Sequence, residues 1–518
     1  MTGAQAILEF LRIKAIDRIF GNPGTTEMPL MKALVNYPDI TYHLVLHEGI
    51  AIAMADAYAQ AMRTPSVVLL HATGGVANAL GLLYNASKAE TPMLVIAGQQ
   101  SRALHFSEGF LYSNMTSMLS PIVKSVQQVS TSDDLLSILR RAWASAIASP
   151  TGPVAVIVPM DILNDELHSI WFDKVPDNGT HAPSIPSEAT LERIVQCTQE
   201  ARHPILLVGD RVGHEPGGVE QLVQLANKVG WPVWLEAYPT RALYPVNGPL
   251  FAGILPRTAQ EIAQRFCNVD LIVNIGARMF EIFIDDGHSA LSPGTPIIDL
   301  QPDRSLVSRN FPVLAGYGGP LVPLLKHLTS RMAHGHQKIP LVQTSYPDLW
   351  EPLGNILPSS VIVIEEAISW RLPLLYQVPR PLPDTLYGQK GGTIGWGVGA
   401  AIGAAMGHPG QPVLAIIGDG SFLMAWQGLF NAAHSGLPIT YVVVDNGGYD
   451  ILRTMASPLK SSTIPGLDVT GINYAAICQT FDIPYIQTSK ENLAQSVMTR
   501  IARRKLSLIH VIVPPTES

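Results

Sequence analysis

Two short polar clusters, each closing an apolar run, constrain this chain more than any other feature. Gly418-Asp419-Gly420-Ser421 follows Val413-Leu414-Ala415-Ile416-Ile417, and Asp445-Asn446-Gly447 follows Ile439-Thr440-Tyr441-Val442-Val443-Val444. Continuous apolar runs of this length are what parallel sheets bury on both faces. Asp419 and Asn446 stand 27 positions apart, room for one turn, one helix and one strand. Residues 422–435 read as that helix, stopped by Gly436-Leu437-Pro438. Open α/β sheets bind ligands beyond the carboxyl ends of their strands, and both clusters fall there.

A carboxylate and a carboxamide oxygen in such a place suit a hard cation. Mg²⁺ takes about six oxygens and is usually held by one or two protein carboxylates together with phosphate groups of a ligand. Taken singly, Gly-Asp-Gly reads as a tight turn and Asn-Gly as a hairpin signal. As a pair after two buried strands they point to a metal-diphosphate site.

The rest of the chain is organised around further α/β units. With 518 residues, two to four domains are expected. Asp173 to Ser187 and Ala333 to Pro347 read as linkers, giving domains at 1–172, 188–332 and 345–518. The first has apolar runs at 67–70, 93–96 and 154–158, the second at 205–208, 271–275 and 297–300. The fold class is therefore α/β, with three doubly wound parallel-sheet domains. Charged residues are only 14% while apolar ones reach 47%, which implies large buried interfaces and an oligomer.

Other function classes are set aside on composition. A net charge of -7 without Lys/Arg blocks argues against nucleic acid or an anionic membrane as partner. The uncharged stretch from Gly391 to Gly418 is interrupted by glycines, His408 and Pro409, so no membrane span is expected. Cys197, Cys267 and Cys478 lack metal-ligand spacing and suggest a reducing compartment. Glu9, Arg12, Lys14, Asp17 and Arg18 break up the N-terminal apolar pattern, unlike a signal peptide, so a cytoplasmic location is expected.

Two further segments offer chemistry. His47-Glu48-Gly49 lies between an apolar run at 42–46 and a helical run at 50–62, so Glu48 opens a helix, a place that the helix dipole alone would favour for an acid. Gly391-Gly392-Thr393-Ile394-Gly395 precedes a Gly/Ala-rich helix and superficially offers a dinucleotide fingerprint. That fingerprint should follow a strand, and Leu386 to Lys390 is a poor strand candidate, so the glycines read as helix packing.

These residues together resemble the thiamine-diphosphate-dependent enzymes, whose motif starts at Gly-Asp-Gly and ends at an Asn-Asn pair; Asp445 departs from the first Asn and Asn446 matches the second. The resemblance implies thiamine diphosphate and Mg²⁺ as cofactors, with Asp419, Asn446 and the Gly448 carbonyl on the metal. It also implies Gly420 and Ser421 at the diphosphate, Ser369 as a further contact there, and Gly392, Tyr449 and Ile451 among the cofactor-binding residues. Ile394 matches the apolar residue that props the cofactor in its V shape. Glu48 matches the acid that shares a proton with the aminopyrimidine nitrogen, and in the family this acid and the diphosphate site come from different subunits. At least a dimer, and by family habit a tetramer, is implied.

Within the family the benzoylformate decarboxylase branch resembles this chain most, across nearly its full length. Phe20 to Glu27 matches that branch's N-terminal loop, with Thr25 replacing a serine that contacts the substrate carboxylate, and His71 matches an active-site histidine. A second histidine of the branch falls at Phe283 by ungapped counting, with His288 nearby. In the substrate pocket Ile451 replaces a small residue and Met455 an aromatic one, and Phe106, Phe110 and Leu111 are candidates for the entrance. The resemblance implies non-oxidative decarboxylation of a small-molecule 2-oxo acid to an aldehyde and CO₂. A carboligase resembling acetohydroxyacid synthase, a non-catalytic cofactor-binding paralogue and a flavin in the central domain stay open.

Overall fold

The structure, a computed structural model, describes residues 1–107, 109–167, 186–335, 346–456 and 464–515. The two expected linkers, 173–187 and 333–347, lie largely outside the described residues. Contacts group the chain into two compact units: Met1–Asp177 with Asn355–Leu372 and Gln389–Ser518, and Asn178–Gly354 with Pro373–Gly388. Among the described residues no helix is long and apolar enough to cross a membrane.

The first unit carries two of three parallel sheets. Its N-terminal sheet is built from β1 (Arg18–Gly21), β2 (Thr41–Leu44), β3 (Ser66–Leu70), β4 (Met93–Gln99), β5 (Ser125–Gln128) and β6 (Pro153–Pro159), in the order β2-β1-β3-β4-β6-β5. All its pairings are parallel, and every residue of β3, β4 and β6 is buried, as the unbroken apolar runs require. The order reverses between β1 and β3, the crevice where ligands of such sheets sit. The second unit holds β7 (Pro204–Val208), β8 (Val233–Leu235), β9 (Phe251–Ile254), β10 (Leu271–Ile275), β11 (Ile297–Gln301) and β12 (Ala315–Gly318), ordered β12-β11-β10-β7-β8-β9.

The third sheet, in the first unit, contains β13 (Ile362–Glu366), then, after a three-residue strand β14 (Leu386–Gly388) in the second unit, β15 (Val413–Gly418), β16 (Ile439–Asp445), β17 (Tyr485–Thr488) and β18 (Ser507–Ile512). Within the unit its order is β13-β15-β16-β18-β17, all parallel. The doubly wound α/β fold is thus present three times. One local expectation fails at β14, since Leu386-Tyr387-Gly388 is a strand despite its weak pattern. The helix expected over 422–435 is broken as well, into a helix, a 3₁₀ turn at Trp426–Gly428 and a second helix.

Seven helices of the first unit matter for the site: α1 (Met28–Leu34), α2 (Glu48–Met62), α3 (Ala72–Lys88), α4 (Gly397–Gly407), α5 (Asp419–Leu423), α6 (Leu429–Ser435) and α7 (Asp450–Ala456). Helix α4 presents a glycine stripe to α2. A Cβ on Gly399 would lie 2.8 Å from the Ala53 Cβ, one on Gly403 would be driven into the Met54 carbonyl, and one on Gly407 would lie 2.5 Å from the Ala61 Cβ. These three glycines permit close helix approach, and they lie beyond the Gly391–Gly395 run for which packing is expected. The N-terminus of α4 is occupied too: the buried Glu366 carboxylate accepts the Trp396 and Gly397 N–H groups at 2.9 and 2.7 Å. An acid in this position stands where a dinucleotide phosphate would sit.

Candidate active site

At the reversal between β1 and β3, the loop 22–27 meets His71, the residue after β3. The His71 Nδ1 lies 2.9 Å from Glu27 Oε2 and 3.1 Å from the Thr26 hydroxyl. Glu27 also accepts the Gly24 N–H at 3.1 Å and the Thr26 O–H. Gly24 is required by close approach, because a Cβ there would overlap the imidazole ring. The hydrogen bond to Glu27 raises the His71 pKa against partial burial, and the charges of Glu27 and Glu48 act in the same direction.

Glu48 stands at the first position of α2, whose N-terminus is capped by the His47 ring accepting the Gly49 N–H at 3.1 Å. Its carboxylate is 6% exposed and accepts one hydrogen bond, from Asn78 Nδ2 of α3 at 3.0 Å. Thr25, by contrast, is exposed, and the neighbouring Thr26 is the threonine that joins the histidine cluster.

The second cluster forms beyond β15 and β16. Asp419 opens α5 and accepts the Gly420 N–H at 2.7 Å and the Gly448 N–H at 2.8 Å, tying the two polar segments together. Asp445 accepts the Gly447 N–H at 3.0 Å and faces His510 Nε2 at 2.9 Å. Burial, reinforced by the neighbouring Asp445 charge, pushes the Asp419 carboxyl up, whereas the His510 hydrogen bond holds Asp445 down. Asn446 differs from its neighbours: its Oδ1 is buried and accepts no hydrogen bond among the described residues. Such an oxygen is costly unless something else meets it, as a bound cation would. Among the described residues no three His, Cys, Asp or Glu side chains converge as a metal site, so a cation here would need amide and main-chain oxygens as well.

Around this cluster, Tyr449 packs its ring on Gly420, where a Cβ would come within 2.6 Å. Gly448 has φ +140°, a conformation that favours glycine. Ser421 is buried on α5, Ser369 is half-buried in the turn after β13, and Ile451 is half-buried on α7. Gly392 is exposed with φ +84°, its N–H bound to Gln389 Oε1 at 2.6 Å, and Ile394 is half-buried. The 391–395 loop is held by Asn85 of α3, whose amide exchanges two hydrogen bonds with Thr393, at 2.7 and 3.1 Å. Among the described residues the Glu48–His71 and Asp419–Asn446 clusters share no hydrogen bond.

Phe283, in the second unit, is 60% exposed. His288 is exposed and folds back on its own loop, its Nδ1 lying 2.7 Å from the Asp286 carbonyl. Phe106 and Phe110 are exposed, whereas Leu111 is half-buried and its carbonyl accepts the Thr73 hydroxyl at 3.0 Å. Sequence reasoning passed over Glu27, Thr26, Asn78 and His510. The acid following Thr25-Thr26 at a helix start was the available signal for Glu27.

Both clusters fall within segments that match known protein families. Three family models match: the thiamine pyrophosphate enzyme N-terminal TPP binding domain over residues 1–118, the central domain over 191–328 and the C-terminal TPP binding domain over 375–511. The chain is 28% identical to the benzoylformate decarboxylase of Pseudomonas aeruginosa, with 99% of this chain and 98% of that one covered. It is 26% identical to the acetolactate synthase large subunit of Haemophilus influenzae, covering 86% of this chain and 82% of that one. The solved thiamine diphosphate-dependent 4-hydroxybenzoylformate decarboxylase of Rhodococcus jostii RHA1 superposes with a TM-score of 0.93 at 26% identity over the whole of both chains. Taken with the three parallel sheets and the two polar clusters, these matches show that the chain belongs to the thiamine pyrophosphate enzymes.

Proposed function

We propose that the chain is a thiamine-diphosphate- and Mg²⁺-dependent lyase that decarboxylates a 2-oxo acid to an aldehyde and CO₂. The observation that carries the metal assignment is the buried Asn446 Oδ1, without a hydrogen bond among the described residues and two positions before the Gly448 N–H that the Asp419 carboxylate accepts. Asp419, Asn446 and the Gly448 carbonyl would hold Mg²⁺, and Gly420, Ser421 and Ser369 the diphosphate. Gly392, Ile394, Tyr449 and Ile451 would shape the cofactor's bed. When bound, the cofactor supplies a nucleophilic carbon and an electron sink for cleavage of the bond to a carboxylate.

The chain's own groups supply orientation and proton control. Glu48, shielded from water, would hold the proton shared with the aminopyrimidine nitrogen. Thr25 would contact the substrate carboxylate, and His71, held by Glu27, would deliver a proton on the substrate side. Removal of metal with a chelator, restoration with Mg²⁺ and thiamine diphosphate, and assay of CO₂ and aldehyde from aromatic and aliphatic 2-oxo acids test this reading. No turnover across that panel rejects it.

A second reading is a carboligase that passes the same activated fragment to another carbonyl compound. Phe283 favours it, since a phenyl ring relays no proton, and the acetolactate synthase relatives accord with it. Chiral 2-hydroxy ketones from mixed donors distinguish it from simple decarboxylation. A non-catalytic cofactor-binding paralogue is a third reading, against which the retained Glu48 counts.

The active form is read as a homo-oligomer, at least a dimer and by family habit a tetramer. Supporting this, among the described residues one chain's two clusters share no hydrogen bond, and Leu44, Leu46, Met424 and Trp426 are exposed apolar residues on segments next to them. Domains at 1–172, 188–332 and 345–518 and a cytoplasmic location complete the proposal, the latter on three free cysteines.

A further inference from the structure

Glu27 is a buried acid whose only cationic partner among the described residues is His71. It is 1% exposed, and the His71 Nδ1 lies 2.9 Å from its Oε2. Two glycines make room for the pair. A Cβ on Gly98, in β4, would overlap the Glu27 carboxylate, and one on Gly24 would overlap the imidazole. A carboxylate taken out of water is costly unless paired and hydrogen-bonded, and Glu27 achieves this with Gly24 N–H, the Thr26 hydroxyl and the imidazole.

The hydrogen-bond directions around His71 leave one arrangement. Thr26 donates its hydroxyl proton to Glu27, so its oxygen faces the imidazole as an acceptor 3.1 Å from Nδ1. Glu27 Oε2 is an acceptor as well. Both neighbours of Nδ1 therefore require a proton on that nitrogen, and Nε2 is left without a hydrogen bond among the described residues. The charged and titratable groups acting on the ring are Glu27, from the start of α1, and Glu48, from the start of α2. The Tyr42 phenol of β2 lies in the field of the same two acids, which, after burial, raise its pKa further.

We propose that Glu27 is a positioning residue: it locks the Nδ1–H tautomer of His71 and makes Nε2 the atom that takes up and releases the proton. This deepens the decarboxylase reading and rests on it for the catalytic use of His71, but the tautomer and charge of the pair are independent of any reaction. Glu27 touches neither cofactor nor substrate in this scheme. Its effect reaches the reaction only through the imidazole.

The test follows the neutral imidazole directly. The holoenzyme is treated with diethyl pyrocarbonate over a range of pH, and carbethoxylation of the His71 peptide is followed by mass spectrometry in wild type, Glu27→Gln and Glu27→Asp. Glu27→Gln keeps the size and one acceptor but removes the charge, so the midpoint of His71 modification should move to lower pH by roughly 1–3 units. Glu27→Asp should keep the carboxylate and move it by less, and serves if the glutamine variant folds poorly. In parallel, kcat should shift its pH profile with the modification midpoint while KM changes little. An unchanged midpoint in Glu27→Gln, whatever happens to kcat, would make Glu27 a structural residue and overturn the inference. Because modification needs no turnover, failure to decarboxylate any 2-oxo acid would reject the decarboxylase reading alone.

Discussion

The Trp396 indole donates a hydrogen bond of 2.8 Å to Asp56, 340 positions earlier in the chain. Asp56 is 1% exposed, and its other oxygen accepts Gln60 Nε2 at 2.8 Å and the Thr91 hydroxyl at 2.6 Å. One buried acid thus satisfies three donors from the N-terminal and C-terminal sheets' helices and loops. Replacing it with alanine removes the acceptor of all three bonds, and each lost bond costs roughly 1–3 kcal/mol. Asp56→Ala should accordingly be strongly destabilised in chemical denaturation, well beyond a surface Asp→Ala control.

The glycine stripe makes a separate prediction. Since a Cβ at Gly403 meets the Met54 carbonyl, a main-chain atom that cannot rotate away, Gly403→Ala should force α2 and α4 apart. Overpacking of this kind typically costs roughly 1–3 kcal/mol. Thermal denaturation should show a lowered midpoint, and an unaltered one would mean that the helices yield freely.

Glu48→Gln separates proton control from cofactor retention. Loss of a positioned acid-base group removes roughly 10²–10⁴-fold in rate. Turnover should fall by that order, while Mg²⁺-dependent binding of thiamine diphosphate, read by quenching of tryptophan fluorescence, should persist. Full turnover in the variant would contradict the role given to Glu48.

At the other cluster, Asn446→Ala removes the unbonded oxygen, whereas His510→Gln loosens the support of Asp445. Outer-shell partners are typically worth roughly 10–100-fold in metal affinity. His510→Gln should fall within that range and Asn446→Ala should exceed it in fluorescence titrations with Mg²⁺ at saturating thiamine diphosphate. Equal affinity in Asn446→Ala and wild type would remove Asn446 from the metal.

Burial raises Glu366 to about 7 from its ordinary 4.5, against the opposing pull of the Gly397 and Trp396 N–H groups. Between those values the folded chain keeps a proton that the unfolded chain has released. Stability therefore falls as pH rises across that window. Glu366→Gln should abolish this part of the slope in thermal melts taken on both sides of neutrality, at a constant cost of roughly 1–3 kcal/mol for the lost acceptor. An identical slope in the variant would assign the dependence to other groups.

How much of this was legible in the sequence depends on the range of the interaction. Residues 413–417 and 439–444 announce buried strands because both faces are covered, which leaves an unbroken apolar run. Asp419 and Asn446 could be read because strand ends fix them locally. Glu27 could be read only as an acid at a helix start: its pairing with His71, 44 positions away, and the room left by Gly98 leave no local mark. His510 was invisible for the same reason, lying 65 positions from Asp445 across two adjacent strands. Residues 422–435 have helical composition, but the chain turns through a 3₁₀ segment at Trp426, which no periodicity reports. At Leu386–Gly388 only three residues are extended, too few to make a pattern.

The glycine stripe of α4 also sets a schedule for synthesis. Helix α2 leaves the ribosome with Ile50, Ala53 and Met54 on the face that α4 will cover, and Trp396 follows Asp56 by 340 residues. At typical elongation rates of about 5–20 residues per second that interval is roughly 20–70 s. During it the N-terminal sheet can be complete while one side of its second helix still faces solvent. Slower translation lengthens that exposure, so the yield of folded protein should be governed by how long a nascent chain can wait for its own C-terminal third.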